Sequence, residues 1–199
     1  MFLCNGIASA IPAALMLFFA QDRLLARPPQ IALFLVLYFV SGALSMPAWL
    51  RVVRRFGLER AWLAGMLLAV ACFGWAAGLE GGQVMPFGVI CVLSGMALGA
   101  DLTVPGALLA LLIERHGAQG VHEGAYLGWW NLATKLNLAL AAGATLPLLQ
   151  ILGYTPGSQE VDALQHLAWT YALLPCALKL VAAWLLHWLL IDSPDPPRE

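Results

Sequence analysis

Six long apolar stretches, each nearly free of charge, constrain the fold of this chain more than any other feature. They lie at residues 1–21, 31–50, 61–79, 85–113, 125–151 and 167–191. A helix of about 20 apolar residues crosses the hydrocarbon core of a bilayer, and these stretches have that length. We therefore predict an all-α integral membrane protein, with one six-helix bundle over residues 1–191.

The composition excludes soluble folds. Hydrophobic residues make up 61% of the 199 positions and charged residues only 11%, against about 25% in an ordinary soluble domain. So few charges cannot cover the surface of a soluble globule. The net charge of −1 also offers no basic surface to nucleic acid. We expect the lipid bilayer to surround the chain, and we expect no nucleic-acid partner.

The motifs of common enzyme and metal sites are missing. The sequence contains no HExxH, GxSxG or P-loop pattern. Its four cysteines lie singly inside apolar runs without a CxxC pair, and the histidines follow no usual ligand spacing. We therefore predict that the protein is not an enzyme, and we predict no catalytic residue, no metal site and no cofactor.

The distribution of Lys and Arg predicts the orientation in the membrane. One set of helix ends carries only Arg23 and Arg27. The opposite set carries six positive residues, namely Arg51, Arg54, Arg55, Arg60, Arg115 and Arg198. Because positive loops stay inside, we expect both termini to be cytoplasmic in a bacterial-type inner (plasma) membrane. The polar, proline-rich segment 192–199 should then be a disordered cytoplasmic tail.

A weak internal repeat relates the two halves of the chain. Pro12 and Pro105 each lie nine residues before a polar residue that ends an apolar run. The second and fifth stretches both carry Gly followed by Pro towards their ends. Helices one to three would then correspond to helices four to six. Because each half has an odd number of spans, we expect two inverted three-helix repeats.

Three charged residues interrupt the apolar stretches and are functional candidates, since charge at membrane depth is unfavourable unless it is paired. Asp101 and Lys135 fall at about the same depth on neighbouring antiparallel helices, so they can form an ion pair. They either bind a cation or a polar solute in a wet cavity, or pair with each other structurally. For Lys179, at the middle of the sixth stretch, a structural role is favoured over contact with a solute.

Polar and aromatic residues near these charges extend the candidate site. Asn131 and Thr134 lie within one turn of Lys135, and Asn5 lies on the first helix. Their side chains either hydrogen-bond a sugar hydroxyl or link neighbouring helices. Tyr38 is a candidate for stacking on a ligand.

The densest cluster of charge contains four arginines, Arg51, Arg54, Arg55 and Arg60. One interpretation is that they only set the topology. The other is a cytoplasmic gate, in which arginines pair with acids or helix C-termini in one conformation of the protein.

Four segments carry a resemblance to a known family. They are residues 5–12 (NGIASAIP), 37–62 (LYFVSGALSMP followed by RRFGLERAW), 99–110 (GADLTVPGALLA) and 123–135 (EGAYLGWWNLATK). In this order they resemble helices seven, eight, ten and eleven of melibiose-carrier-like transporters. These are the glycoside–pentoside–hexuronide:cation symporters of the major facilitator superfamily. The chain thus resembles the last six of the family's twelve helices.

The resemblance implies a six-helix half of a major-facilitator fold. It also implies cation-coupled symport of a sugar or glycoside by alternating access, driven by Na⁺ or H⁺. The partner would be an N-terminal six-helix half or a second copy of the chain, and the solute would be small and polar. The alternatives are a self-assembling half-size carrier, and a membrane-embedded enzyme or truncated membrane protein that does not transport.

The resemblance also implies roles for particular residues. Lys135 matches a lysine near the shared cation and sugar sites of the family, with Asn131 and Thr134 beside it, and Asp101 would line the cavity or hold Lys135. The arginine cluster resembles the family's second cytoplasmic gating motif. The family usually has two acids at this end of the helix. In this sequence Glu114 matches one of them, and Leu111 stands at the position of the other.

Overall fold

A computed structural model describes residues 1–115 and 123–191, and it folds them into six long helices. Each helix is long and apolar enough to cross a membrane, which confirms the predicted six-helix membrane fold. Short π-helical segments, Phe19–Arg23 and His187–Ile191, continue the first and last helices. The expected tail, 192–199, lies outside the described residues. The helices are α1 (Phe2–Phe18), α2 (Pro28–Phe56), α3 (Leu58–Ala76), α4 (Val84–Arg115), α5 (Glu123–Ile151) and α6 (Val161–Leu186).

The arginine-rich segment 51–60, which lies between the predicted membrane stretches 31–50 and 61–79, is helical except at Gly57. α2 continues to Phe56, and Gly57, with φ of 87°, is the one residue between α2 and α3. Arginine is a good helix former, and positive charge is favourable in the last turn of a helix. A backbone with positive φ then suits glycine. The arginines therefore project from two helix ends instead of a flexible connection.

The packing partners of the helices follow the predicted inverted repeat. α1 packs on α5 and α6, α4 packs on α2 and α3, and α3 also packs on α6. In the predicted repeat, α1, α2 and α3 correspond to α4, α5 and α6. The α1–α5 contact therefore corresponds to the α4–α2 contact, and the α1–α6 contact corresponds to the α4–α3 contact. The α3–α6 pair maps onto itself. The set of contacts is thus the one that two inverted three-helix repeats require.

Two apolar clusters form the core and are stacked along the helix axes. The larger contains a group of aromatic rings, in which Phe19 and Tyr171 stack with centroids 4.2 Å apart and Phe34 meets Phe87 edge-on at 4.9 Å. The smaller cluster surrounds Trp62, near the N-terminus of α3. On α4, Asp101 lies between Ala97 of the larger cluster and Val104 of the smaller cluster. The buried charge of Asp101 therefore lies at the boundary between the two clusters.

The turn after α1 is tied to the connection between α5 and α6. The Asp22 carboxylate accepts hydrogen bonds from the Tyr154 hydroxyl, at 2.5 Å, and from the Gly157 backbone N–H, at 2.9 Å. Burial, and then the Asp22 carboxylate, raise the pKa of the Tyr154 phenol above its ordinary value. The phenol therefore stays protonated and remains a donor to Asp22.

Small residues bring α2 and α4 into close contact. A Cβ placed on Gly95 would lie 2.3 Å from the backbone oxygen of Tyr38, and one on Gly99 would lie 2.0 Å from Ser45 Oγ. The Trp49 indole N–H also donates to the backbone oxygen of Met96 on α4, at 2.7 Å. Such close approach between membrane helices requires small residues at the contact.

We expect Gly95→Ala to destabilise the protein by about 1–3 kcal/mol, because the added methyl group overlaps the backbone of α2. Gly74→Ala on α3 is the matched control, since a Cβ there meets nothing within 4 Å and alanine favours a helix by up to about 1 kcal/mol. Thermal unfolding of the purified variants in detergent measures the difference. Equal unfolding temperatures for the two variants would contradict the close α2–α4 contact.

Candidate functional site

A buried polar cluster occupies the meeting point of four helices. It consists of Asn5 and Ser9 on α1, Trp62 on α3, Asp101 on α4 and Lys179 on α6. The Lys179 ammonium and the Asp101 carboxylate form an ion pair with Nζ and Oδ2 2.9 Å apart, and the two side chains are 2% and 12% exposed. Both charges fall near the middle of their helices, so the pair lies at membrane depth.

The hydrogen bonds of this ion pair are complete. Oδ1 of Asp101 accepts from Asn5 Nδ2 and from Trp62 Nε1, both at 3.0 Å. Oδ2 accepts from Ser9 Oγ at 3.0 Å and from Lys179 Nζ at 2.9 Å. The ammonium also donates to Asn5 Oδ1 at 2.8 Å and to Ser9 Oγ at 3.0 Å. A buried ion pair is tolerated when its remaining donors and acceptors are satisfied in this way.

The sequence places these groups together through helical spacing. Asn5 and Ser9 are four residues apart, so both side chains lie on one face of α1. That face meets α4 at Asp101 and α6 at Lys179. Trp62, 1% exposed near the start of α3, closes the cluster from the side of the smaller apolar core.

A cavity of about 450 Å³ opens beside the cluster, between α1, α4 and α5. Asn5, Ser9 and Asp101 line it on one side, and Thr134 and Asn137 of α5 line it on another. The volume lies in the range of small-molecule sites. The wall of the cavity also includes apolar and aromatic residues, namely Phe2, Leu98, Leu102, Trp130 and Leu138.

Asn137 carries an unsatisfied polar atom in the wall of this cavity. Its side chain is 4% exposed, and its Oδ1 has no hydrogen-bond partner among the described residues. A Cβ on Gly6 would lie 1.8 Å from Asn137 Nδ2, so only glycine allows α1 to approach the amide this closely. A buried acceptor without a donor is unfavourable. The oxygen is itself buried, so a molecule in the cavity can donate to it only if the amide turns towards the cavity. Asn137 is not among the site residues predicted from the sequence, although an amide two residues from Lys135 in a membrane helix was a usable signal.

A family model described as MFS/sugar transport protein matches residues 1–193. The chain belongs to this family. It is therefore a multi-pass membrane protein of a transporter family and not an enzyme.

The chain is also similar to a curated protein, the sodium-dependent lysophosphatidylcholine symporter 1-A of Danio rerio. The two sequences are 21% identical over 169 residues, which are 83% of this chain and 32% of the relative. The chain thus spans about a third of the length of the relative that it matches.

Lys135 is not the partner of Asp101, so the ion pair considered between them is wrong; Lys179 takes that place. The buried residues of α5 recur every fourth position, at Asn137, Ala141, Thr145 and Leu149. Lys135 lies two positions from this stripe, which is about 200° around the helix. Its side chain is accordingly exposed in this chain, as are those of Asn131 and Thr134.

Of the other predicted residues, Thr134 reaches the cavity wall and donates from Oγ1 to the Trp130 backbone oxygen at 2.9 Å. Tyr38 lines a void of about 10 Å³ beside Asp101 and Lys179, and also a separate, mostly apolar cavity of about 80 Å³. It does not line the larger cavity, so stacking of Tyr38 on a ligand would have to occur elsewhere.

The residues predicted to form a gate lie at one end of the bundle. The side chains of Arg51, Arg54, Arg55, Arg60 and Glu114 are all exposed. The Arg55 guanidinium lies 5.3 Å from the centroid of the Phe56 ring. Within residues 1–115 and 123–191, none of the five forms an ion pair. The side chain of Arg115 and residues 116–122 lie outside what the structure describes, and gating stays a prediction.

Trp62→Phe removes the hydrogen bond from the indole to Asp101. Because the acceptor is a carboxylate, we expect this loss to lower the free energy of unfolding by about 1.5–3 kcal/mol. Trp49→Phe is the matched control, since its indole donates to a neutral backbone oxygen and such a bond contributes only about 0.5–1.5 kcal/mol. The two substitutions remove the same atoms, so a difference in unfolding free energy between the two variants reflects the different acceptors. Titration with a denaturing detergent measures these free energies. A larger loss for Trp49→Phe would contradict a charged cluster at Asp101.

Proposed function

We propose that this chain is the C-terminal half of a melibiose-carrier-like, cation-coupled symporter. It carries a sugar or glycoside by alternating access, in the inner (plasma) membrane with both termini cytoplasmic. The observation that carries the proposal is the cavity of about 450 Å³ at membrane depth, whose wall includes Asp101, the acid of the ion pair, and the side chain of Asn137. The transport family of the chain and its similarity to a protein named as a sodium-dependent symporter support it.

The exposed side chain of Lys135 supports the proposal that a second six-helix half packs against this chain. The residue lies roughly 18 Å along a 29-residue helix, close to its midpoint. An ammonium at this depth is strongly unfavourable against lipid and should face protein or a water-filled cavity. The face of α5 that carries Asn131 and Lys135 is therefore expected to be covered by an N-terminal six-helix half. A second copy of this chain is the alternative.

In the complete transporter, the cavity would be the solute site of this half. The Asn137 amide turns towards the cavity and accepts a hydrogen bond from a hydroxyl group of the solute, and further hydroxyl groups exchange hydrogen bonds with Thr134 and Asn5. Lys135, on the face of α5 that the other half covers, contacts the part of the solute that extends to that face, or shares an acceptor there with the coupling ion, which is Na⁺ or H⁺. The two halves rock around this midplane site, and the exposed arginines at the end of α2 pair with acids in the state that closes the cytoplasmic side.

The apolar wall of the cavity favours a second solute class. Phe2 stacks on Trp130 with ring centroids 3.8 Å apart, and Leu102 and Leu138 lie on the same wall. A molecule with a polar head and an apolar tail would contact both kinds of surface. The relative named as a lysophosphatidylcholine symporter is consistent with an amphiphile of this kind.

Uptake into proteoliposomes tests the proposal. We expect the chain with a co-expressed six-helix N-terminal half to accumulate labelled melibiose under an inward Na⁺ or H⁺ gradient, and to accumulate none without a gradient. Labelled lysophosphatidylcholine is the second arm and tests the amphiphile. Uptake by the chain without a partner, together with cross-linked dimers, would favour the second copy. No uptake of either solute with either partner would contradict the transport proposal.

We expect Lys135→Met to lower this uptake by about tenfold or more, because one charged contact contributes about 1.5–3 kcal/mol. Lys135→Arg should keep part of the activity, since it keeps the charge. Leu148→Met, an exposed position farther along α5, is the control for disturbance of the helix. Initial rates at equal protein content measure the effect. Full uptake by Lys135→Met would show that Lys135 contacts neither solute nor ion.

A further inference from the structure

The Lys179 ammonium lies in a cage of three oxygen atoms from three different side chains. Nζ is 2.8 Å from Asn5 Oδ1, 3.0 Å from Ser9 Oγ and 2.9 Å from Asp101 Oδ2. Each of its three donors has one of these acceptors, and the side chain is 2% exposed. Without the lysine, the cage would hold one carboxylate, one amide oxygen and one hydroxyl oxygen, with a net charge of −1.

An amide oxygen, a hydroxyl and a carboxylate are the ligand types that hard metal cations prefer. One negative charge matches a monovalent ion. Further ligands can come from water, because Asn5, Ser9 and Asp101 all border the 450 Å³ cavity. The void of about 10 Å³ on the other side, beside Lys179 and Ser94, has room for about one water molecule. The arrangement therefore has the chemistry of a sodium site.

We propose that this cage is a monovalent-cation site in which the ammonium of Lys179 is the resident, tethered cation. The protein then needs no free cation at this position, and the ion that couples transport must bind elsewhere while Lys179 stays in place. Removing the ammonium and leaving the three oxygens intact converts the cage into a site for Na⁺. This inference concerns ion binding and does not depend on which solute is carried.

The test compares the unfolding temperature of three proteins in NaCl and in choline chloride at equal ionic strength. They are the wild type, Lys179→Met, and Lys179→Met combined with Asp101→Asn. Methionine retains an unbranched stem without the charge, and the double variant removes the anion of the cage. We expect Na⁺ to raise the unfolding temperature of Lys179→Met by about 3–5 °C at about ten times its dissociation constant. The other two proteins should show no such rise.

Two outcomes in this comparison overturn the proposal. One is a sodium shift for Lys179→Met that is no larger than that of the double variant. The other is a wild-type shift as large as that of Lys179→Met, because the ammonium would then not be resident. Neither measurement involves uptake, so each result is independent of the transport assay.

Lys179→Ala provides a second measurement in case the methionine variant folds poorly. Truncation leaves space for an alkylammonium ion, and we expect ethylammonium to raise the unfolding temperature of this variant more than choline does. The double variant should again not respond. If Lys179→Met and Lys179→Ala both fail to accumulate in membranes, even with Na⁺ or ethylammonium present during growth and extraction, the proposal is also overturned, since a filled cage should support folding.

Discussion

The ion pair between Asp101 and Lys179 is the interaction on which the rest of this bundle depends. A single charge at membrane depth is strongly unfavourable, and a buried pair is tolerated only when its other donors and acceptors are satisfied. Here those groups come from α1 and α3 as well as from the helices of the pair. Sliding any of the four helices by one turn, about 5.4 Å, would leave a buried charge without its partners. The cluster therefore sets the axial register of α1, α3, α4 and α6, which the apolar clusters above and below it leave open.

The two remaining helices attach in different ways, and the difference shapes the cavity. α2 lies close against α4, where Gly95 and Gly99 remove the space between them. α5 contacts mainly α1, and the two helices lie close together at Gly6 and Asn137. The space between α4 and α5 is left open as the cavity. Because α1 and α4 carry both the charged cluster and the cavity wall, an ion or solute in the cavity lies against the side chains that hold the bundle in register.

The sequence predicts the six helices well because the thickness of the bilayer demands long apolar runs, and few other patterns imitate them. It predicts the charged site only in part. Depth along a helix follows from counting residues, and all three membrane charges have similar depths. Which of them meet depends on rotation about the helix axis, and α5 is apolar on nearly every face, so its buried stripe through Asn137 is not visible in the sequence. For that reason the sequence allows Lys135 to pair with Asp101, whereas Lys179 is the partner in the folded chain.

Charge balance distinguishes the two lysines that lie at membrane depth. Within the described helices, Asp101 and Lys179 cancel each other at membrane depth, whereas Lys135 is exposed on a face of α5 where contact with lipid is unfavourable. Whatever protein covers this face must offer an acceptor to the ammonium, and a carboxylate is the strongest one available. A cation brought close to such a carboxylate would compete with Lys135 for it, whereas the Asp101 carboxylate is already engaged by Lys179. The two lysines are thus expected to play different parts, with Lys179 holding the helices in register and Lys135 facing the moving interface.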